Sequence, residues 1–145
     1  METHETFLNM AVDLALQNKV DGGRPFGAII TKDNEIIASG TNNMLTKIDP
    51  SSHAEMEAMK LASKNLKTLD LKDCVIYASG HPCPMCLAAI LMTNIKEVYY
   101  AFNNDDAKPF GLSSDHIYEK LKIKEIDAIK ITKLKIDFLA SDLYS

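Results

Sequence analysis

Two short motifs in the sequence contain side chains that could bind a metal ion. The first is His53-Ala54-Glu55 and the second is Pro82-Cys83-Pro84-Met85-Cys86. One imidazole and two thiolates form a tetrahedral zinc site whose fourth position stays open for water, which is typical of a catalytic zinc. The motifs therefore predict that His53, Cys83 and Cys86 bind one Zn²⁺ per chain.

Glu55 lies two residues after the predicted histidine ligand. A fourth protein ligand would close the zinc site, so we expect Glu55 to stay off the metal and to move protons between water and substrate. An alternative interpretation is that Ser52 and Glu55 form a capping box at a helix start. Residues two apart diverge on a helix, so His53 and Glu55 can face one metal only where the helix begins.

The cysteines indicate the compartment. Cys74, Cys83 and Cys86 are an odd number that cannot form a complete disulfide framework, and the first twenty residues do not have the pattern of a signal peptide. In such a chain a C-x-x-C pair indicates metal binding or redox chemistry in a reducing environment. We therefore predict a cytoplasmic protein, with Cys74 in the hydrophobic core.

Length and composition narrow the class of protein. The chain has 145 residues, of which 46% are apolar and 25% charged, and this predicts one globular domain over residues 1–145. No apolar run approaches the roughly 18 residues of a membrane span. The net charge of −4 argues against a protein that mainly binds polyanions.

Hydrophobic periodicity places both motifs at helix starts. These two helices run from His53 to about Lys64 and over Pro84–Met92. The other predicted elements are a helix over 4–19, a hairpin of strands Phe26–Thr31 and Ile36–Ser39, a loop over 41–52, a strand Cys74–Ala78 and a strand Ile95–Ala101. The unit from Cys74 to Ala101 is a βαβ crossover, which predicts parallel strands.

The C-terminal third is less regular. Residues 102–113 predict a long irregular loop, followed by a short helix through Tyr118 and Leu121. Alternating apolar residues continue over 129–132 and 134–138 with a one-residue shift, so we expect a bulged or broken strand near Thr132. Together the elements predict an α/β fold, a three-layer α/β/α sandwich with a mixed sheet.

The combination of His-x-Glu with Pro-Cys-x-x-Cys is a signature of zinc-dependent nucleobase deaminases. The chain resembles the cytidine/deoxycytidylate deaminase superfamily, and within it the bacterial guanine deaminases. Further matching segments are His4–Leu8, Pro25–Ile30, Asn42-Asn43, Asp49-Pro50 and Ile117-Tyr118. The resemblance implies a cytidine deaminase-like fold and a zinc-activated water that replaces the amino group of a small base, guanine first, with release of ammonia.

The resemblance also implies roles for single residues. Glu55 would carry protons to the ring nitrogen and the leaving group, Asn42 would hydrogen-bond the base, and the backbone of Ala54 would contact the ring. Phe26 would stack on the base, or else be a core residue of the hairpin, and Asn42 could instead form an Asx turn. The family further implies a homodimer, with the C-terminal segment exchanged between subunits.

Three features depart from the guanine deaminase pattern. The loop reads Gly111-Leu112-Ser113-Ser114-Asp115 where these enzymes have two aspartates after the glycine, so the substrate-binding carboxylate is missing or displaced to Asp115. His81 replaces the usual glutamate before Pro82, and we expect it to face solvent rather than line the pocket or bind metal. The tail is also short, ending at Ser145.

Other functions stay open on the sequence alone. A tRNA adenosine deaminase shares the zinc motif but needs a basic surface, and the candidate lysines lie among acidic residues. These lysines are Lys120, Lys122, Lys124, Lys130, Lys133 and Lys135. A pyrimidine or pteridine amine hydrolase is another option. We expect a small-molecule substrate, with neither nucleic acid nor a membrane as partner.

Two functions other than deamination would require different chemistry at these motifs. A non-catalytic zinc fold would need a fourth ligand from Cys74, His81 or His116. A thioredoxin-like redox role for the C-x-x-C pair would not explain His53 and Glu55.

Overall fold

The computed structural model describes residues 3–124 and 127–145. Its elements in chain order are α1 (His4–Val20), β1 (Gly27–Lys32), β2 (Glu35–Thr41), α2 (Met44–Lys47), α3 (Ala54–Leu66), β3 (Cys74–Gly80), α4 (Pro84–Met92), β4 (Glu97–Phe102), α5 (Asn104–Ala107), α6 (Asp115–Lys120), β5 (Lys130–Lys133) and α7 (Ala140–Tyr144). Within the described ranges, no helix has both the length and the apolar character required to span a bilayer.

The strands form one mixed sheet in the order β2-β1-β3-β4-β5. Strand β1 is antiparallel to β2 and β3, whereas β3, β4 and β5 are parallel. The predicted hairpin is confirmed, since Asp33 and Asn34 both have positive φ and form a two-residue turn between paired strands. The predicted parallel βαβ unit is also confirmed, with α4 between β3 and β4.

Helices cover both faces of the sheet. On one face α3 and α4 pack on a core that includes Ile30 and Ile76. On the other face α1 and α7 pack on a core that includes Ile29 and Tyr77. Because successive residues of a strand point to opposite faces, β1 and β3 supply both cores, which explains their nearly continuous apolar sequences. The predicted three-layer α/β/α sandwich is confirmed.

A close backbone contact fixes the start of α3 on the sheet. A Cβ atom at Gly40 in β2 would lie 2.4 Å from the backbone oxygen of Ala54. Only a residue without a side chain allows this approach. The first turn of α3, which follows His53 and contains Glu55, is therefore held directly against β2.

Two predicted loops contain short helices. Residues 102–113 are not one irregular loop, because Asn103 and Asp106 exchange side-chain and backbone hydrogen bonds that cap α5 at its N-terminus. A turn of 3₁₀ helix, Lys108–Phe110, follows directly. The predicted loop over 41–52 likewise contains α2. Hydrophobic periodicity misses such elements because they are too short to show a period.

Of the two predicted alternatives near Thr132, the structure has the broken strand and not the bulged one. Strand β5 ends at Lys133. The N–H of Leu134 still donates to the carbonyl of Tyr100, at 2.9 Å, and the chain then leaves the sheet edge. Leu134, Ile136 and Phe138 pack on the core beneath α1, so their alternation reflects burial on that face rather than strand pairing.

Candidate active site

The three predicted zinc ligands meet at the N-terminal ends of α3 and α4. His53 directly precedes α3 and has extended backbone angles, φ −73° and ψ 155°. Cys83 precedes α4 in the same way, and Cys86 lies in the first turn of that helix. Helix N-termini favour negative charge, so both cysteines are placed where a thiolate is stabilised.

The distances between the ligand atoms fit a zinc ion. The Nδ1 atom of His53 lies 3.5 Å from Sγ of Cys83 and 3.5 Å from Sγ of Cys86. With a Zn–N bond of about 2.0–2.1 Å and a Zn–S bond of about 2.3 Å, a tetrahedral angle places nitrogen and sulfur about 3.5 Å apart. The ligand atoms of all three residues lie within 4.8 Å of one another.

The cluster contains three ligands within the described part of the chain. Cys74 is buried at the opposite end of β3, in the core, as predicted. His81 and His116 line a cavity but do not join the ligand cluster. A closed, four-ligand structural zinc site is therefore not formed by these candidates.

Hydrogen bonds distinguish the two thiols. The hydrogen bond from Cys86 lowers the pKa of Cys83 to about 4. The hydrogen bond with Cys83, together with burial, raises the pKa of Cys86. The hydrogen bond with Cys83 also raises the pKa of His53. Such mutual dependence is expected of three groups arranged to share one cation.

Glu55 is buried beside the ligands, with 8% of its surface exposed. Because His53 precedes the helix, the two side chains can face the same point, as the sequence required. Burial raises the pKa of Glu55 to about 7. A carboxyl group with a pKa near neutrality can both accept and return a proton, which is what general acid–base chemistry requires.

The alternative role of Glu55 in a capping box is wrong. No side chain caps α3. Ser52 donates from Oγ to Oε1 of Glu57, at 3.0 Å, and its Oγ accepts no hydrogen bond from a backbone N–H of α3. Glu57 also accepts hydrogen bonds from Lys47 and Lys60, so it is Glu57 that anchors the helix start.

A cavity of about 410 Å³ opens onto the ligands. Its wall includes His53, Glu55 and Cys83, together with the predicted substrate-binding residues Asn42 and Phe26. Cavities of this size, with a mixed polar and apolar lining, bind small molecules. The metal site therefore faces a space suited to a compact substrate.

Asn42 is 5% exposed, forms an Asx turn and also lines the cavity. Its Oδ1 accepts from the backbone N–H of Met44, at 3.1 Å, which is the Asx turn. Its Nδ2 contacts only the thioether of Met44, at 3.4 Å, among the described residues. Sulfur is a weak acceptor, so the amide group keeps donor capacity toward the cavity.

The other two predicted substrate-binding residues, Ala54 and Asp115, do not line this cavity. The side chain of Ala54 is fully buried and does not line the cavity. Ala54 is the first residue of α3, so its backbone N–H has no acceptor within the helix. Asp115 lines a neighbouring cavity instead, and the serines Ser113 and Ser114 line the first one.

His81 does not face solvent as expected. It is half-buried and lines the cavity that contains Glu55. Its ring packs edge-on against Tyr100, with 4.9 Å between centroids, and against Tyr118. The hydroxyl of Tyr118 donates to the carbonyl of Pro82 and so fixes the entry to α4.

Several cavity residues were missed by sequence reasoning: Arg24, Met44, Phe102 and Tyr144. Arg24 was detectable in principle, because it directly precedes the Pro25–Ile30 segment and is the one arginine of the chain. Tyr144 had no local signal. It reaches the cavity only because the C-terminal helix α7 packs on the same face of the sheet as α1.

Residues 1–102 match the family described as the cytidine and deoxycytidylate deaminase zinc-binding region. The chain belongs to this family of zinc-dependent deaminases. Membership agrees with the ligand cluster found at His53, Cys83 and Cys86. The predicted enzyme class, a zinc-dependent aminohydrolase, and the predicted cofactor are confirmed.

The chain is also similar to individual members of the family, among them guanine deaminases and a tRNA-specific adenosine deaminase. The chain is 47% identical to the guanine deaminase of Bacillus subtilis (strain 168) over 119 residues, which are 81% of this chain and 76% of that protein. A crystal structure of guanine deaminase from Bacillus subtilis is similar with a TM-score of 0.81 and 42% identity, covering 94% of this chain and 87% of that chain. A tRNA-specific adenosine deaminase of Aquifex aeolicus is 38% identical over 97 residues, 67% of this chain and 64% of that protein.

Proposed function

We propose that the protein catalyses the hydrolytic deamination of guanine, which consumes one water and yields xanthine and ammonia. The observation that carries this proposal is the 47% identity to a guanine deaminase over 81% of the chain. The cavity adds support, because its volume of about 410 Å³ suits a free base.

Glu55 is proposed as the catalytic proton carrier. Zinc held by His53, Cys83 and Cys86 supplies the Lewis acidity that makes water nucleophilic near neutral pH. The carboxylate of Glu55 accepts the proton that water loses and passes protons to a ring nitrogen and to the departing amino group. Its burial beside the ligands supports this role, since it can change protonation state without leaving the site.

Binding of the base is assigned to three positions. We propose that the amide of Asn42 donates to an acceptor on the base, that the free backbone N–H of Ala54 contacts the ring, and that Phe26 stacks on it. Asp115 stands outside the cavity that contains Asn42 and Phe26. We therefore propose that serine hydroxyls, at Ser113 and Ser114, occupy the place of the missing loop carboxylate.

A substrate panel tests the assignment. Zinc-loaded protein is given guanine, cytosine, adenosine or transcribed tRNA at equal concentrations, and ammonia release is measured. The proposal predicts that kcat/KM is highest for guanine by at least tenfold. Faster release from tRNA would instead favour the function of the more distant tRNA-specific relatives and would overturn the proposal.

The same proposal includes location and assembly. We propose a cytoplasmic homodimer in which residues 1–145 form one domain. Three free cysteines suit a reducing compartment, and Leu91 and Met92 at the end of α4 are 38% and 83% exposed, as residues of an interface would be in a single chain. Sedimentation equilibrium should give twice the mass of one chain, and a monomer at micromolar concentration would contradict the dimer.

A further inference from the structure

The backbone carbonyl of Pro82 lies directly before the zinc ligand Cys83, and two side chains donate hydrogen bonds to it. One donor is the hydroxyl of Tyr118, in α6. The other is Nδ1 of His81, at 3.0 Å. A carbonyl oxygen only accepts and has two lone pairs, so both donors can be satisfied at once. His81 therefore carries a hydrogen on Nδ1.

The orientation of this carbonyl determines how the chain enters the metal site. The ring of Pro82 is fully buried and fixes its φ at about −65°. Cys83 precedes Pro84, which restricts Cys83 to extended backbone angles, and its φ of −68° and ψ of 167° agree with this. Because the peptide bond is planar, the main rotation that remains is about ψ of Pro82, and this rotation turns the carbonyl. The two hydrogen bonds therefore set the direction from which Cys83 reaches the other ligands.

Both donors are held in place by contacts of their own. The backbone N–H of His81 donates to the carbonyl of Phe102 at the end of β4, at 2.8 Å. The ring of His81 packs edge-on between Tyr100 and Tyr118, with centroid distances of 4.9 Å and 5.6 Å. The hydroxyl of Tyr118 lies 3.4 Å from Nδ1 of His81. The two side chains thus form one support that connects β4 and α6 to the carbonyl.

We propose that Tyr118 and His81 are positioning residues, which hold Cys83 in the geometry of a metal ligand and so control how tightly the site retains zinc. The inference rests on the zinc site of the proposed function and deepens it, since neither residue belongs to the ligand cluster. Removing a group that orients a metal ligand typically lowers metal affinity by about ten- to a hundredfold.

Replacement Tyr118→Phe removes one donor and keeps the ring that packs on His81. We expect the Kd for zinc, measured by competition with a chelating dye, to rise about tenfold. The matched control is Tyr100→Phe, which keeps the ring on the other side of His81 and removes a hydroxyl outside the hydrogen bonds to Pro82. The Kd of this control should stay within twofold of wild type, and a loss equal to that of Tyr118→Phe would overturn the inference.

A matched pair of substitutions at His81 separates hydrogen bonding from packing. In His81→Asn the amide nitrogen takes the place of Nδ1 and can donate, whereas His81→Leu is similar in size to the asparagine variant and has no donor. We expect His81→Leu to weaken zinc binding about tenfold and His81→Asn to stay within threefold of wild type. Equal losses in both variants would show that only the ring matters and would overturn the role of the Nδ1 hydrogen bond.

Cobalt gives a readout that depends neither on turnover nor on fold stability. Co²⁺ bound by thiolates absorbs through sulfur-to-metal charge transfer, so the absorption per bound ion reports how well the cysteines coordinate. We expect a weaker band from Tyr118→Phe saturated with Co²⁺, and an unchanged band from Tyr100→Phe. A purely structural role would lower the Tm of the metal-free protein and leave the zinc Kd and the cobalt band unchanged, which would overturn the inference.

The same proteins distinguish failure of the inference from failure of the proposed function. If wild type binds no zinc, both fail. Weaker zinc binding in Tyr118→Phe and His81→Leu, together with no ammonia release from guanine by wild type, would support the inference and refute the substrate. If wild type binds one zinc per chain and deaminates guanine while both variants keep the zinc Kd within twofold, only the inference is overturned.

Discussion

The Oγ of Ser52 donates a hydrogen bond to Oε1 of Glu57, at 3.0 Å, just ahead of the residues that face the metal site. Glu57 also forms ion pairs with Lys47 and Lys60, both at 2.9 Å. The side chain of Glu57 is 15% exposed, so these contacts are only partly screened by solvent. The carboxylate thereby ties the start of α3 to the loop before it.

The first prediction concerns pH and stability. Burial raises the pKa of Glu57, but hydrogen bonds from Lys47, Lys60 and Ser52 outweigh it and lower that pKa to about 2, from 4.5 in the unfolded chain. The stabilisation is thus complete above pH 4.5 and is lost as the pH falls toward 2. We expect Glu57→Gln to lower the free energy of unfolding by about 1–2 kcal/mol at pH 7, and the gap to wild type to shrink between pH 4.5 and 2.

Urea unfolding at pH 7 and at pH 3 measures that gap. Loss of zinc in acid affects wild type and variant alike, so the difference between them isolates Glu57. The control is Glu35→Gln, since Glu35 is exposed in β2 and forms no ion pair in the described part of the chain. A gap between wild type and Glu57→Gln that is the same at both pH values would contradict the assignment.

The second prediction separates metal binding from proton transfer. Cys83→Ala removes a ligand and should lose both zinc and turnover. Glu55→Ala leaves the ligands intact and should keep one zinc per chain while turnover falls about 10²–10⁴-fold. Zinc is measured by plasma mass spectrometry on the purified proteins. The control for Cys83→Ala is Cys74→Ala, which removes a thiol from the core and should keep its zinc. Full activity in Glu55→Ala would refute the proton-carrier role of Glu55.

The third prediction tests how closely α7 packs against β3. Gly80→Ala places a methyl group 2.8 Å from Oη of Tyr144 and 3.4 Å from Cε1 of Phe26. Such overpacking should lower the free energy of unfolding by about 1–3 kcal/mol. In the Tyr144→Phe background the closest atom is gone, so at least half of this cost should disappear. Unfolding curves of wild type, Gly80→Ala, Tyr144→Phe and the double variant give the comparison. Tyr99→Phe, with and without Gly80→Ala, is the control background. An equal cost of Gly80→Ala in every background would be incompatible with the contact.

The sequence was sufficient to predict the metal site because its signals are local. His53 and the two cysteines each stand at a helix start, and the residue types limit what those helix ends can bind. The layers of the fold were predictable for a similar reason, since β1 and β3 are apolar enough to be buried on both faces.

The tail was not predictable in this way. The alternation of Leu134, Ile136 and Phe138 is equally consistent with strand pairing and with one-sided burial, and only the position of the sheet edge decides between them. Tyr144 becomes part of the site through contacts with residues far away in the chain, such as Phe26 and Gly80. Asn42 shows a further limit of prediction from sequence, because one side chain can form an Asx turn and line a cavity at the same time.

The central claim is hydrolytic deamination of guanine with Glu55 as the proton carrier, and one labelling measurement tests it most directly. Zinc-loaded wild type and Glu55→Gln are incubated with guanine in water enriched in ¹⁸O, and the products are analysed by mass spectrometry. We predict xanthine that carries one solvent oxygen, with one ammonia per xanthine, from wild type and almost none from Glu55→Gln. Unchanged guanine in the presence of wild type with one zinc per chain would contradict the account.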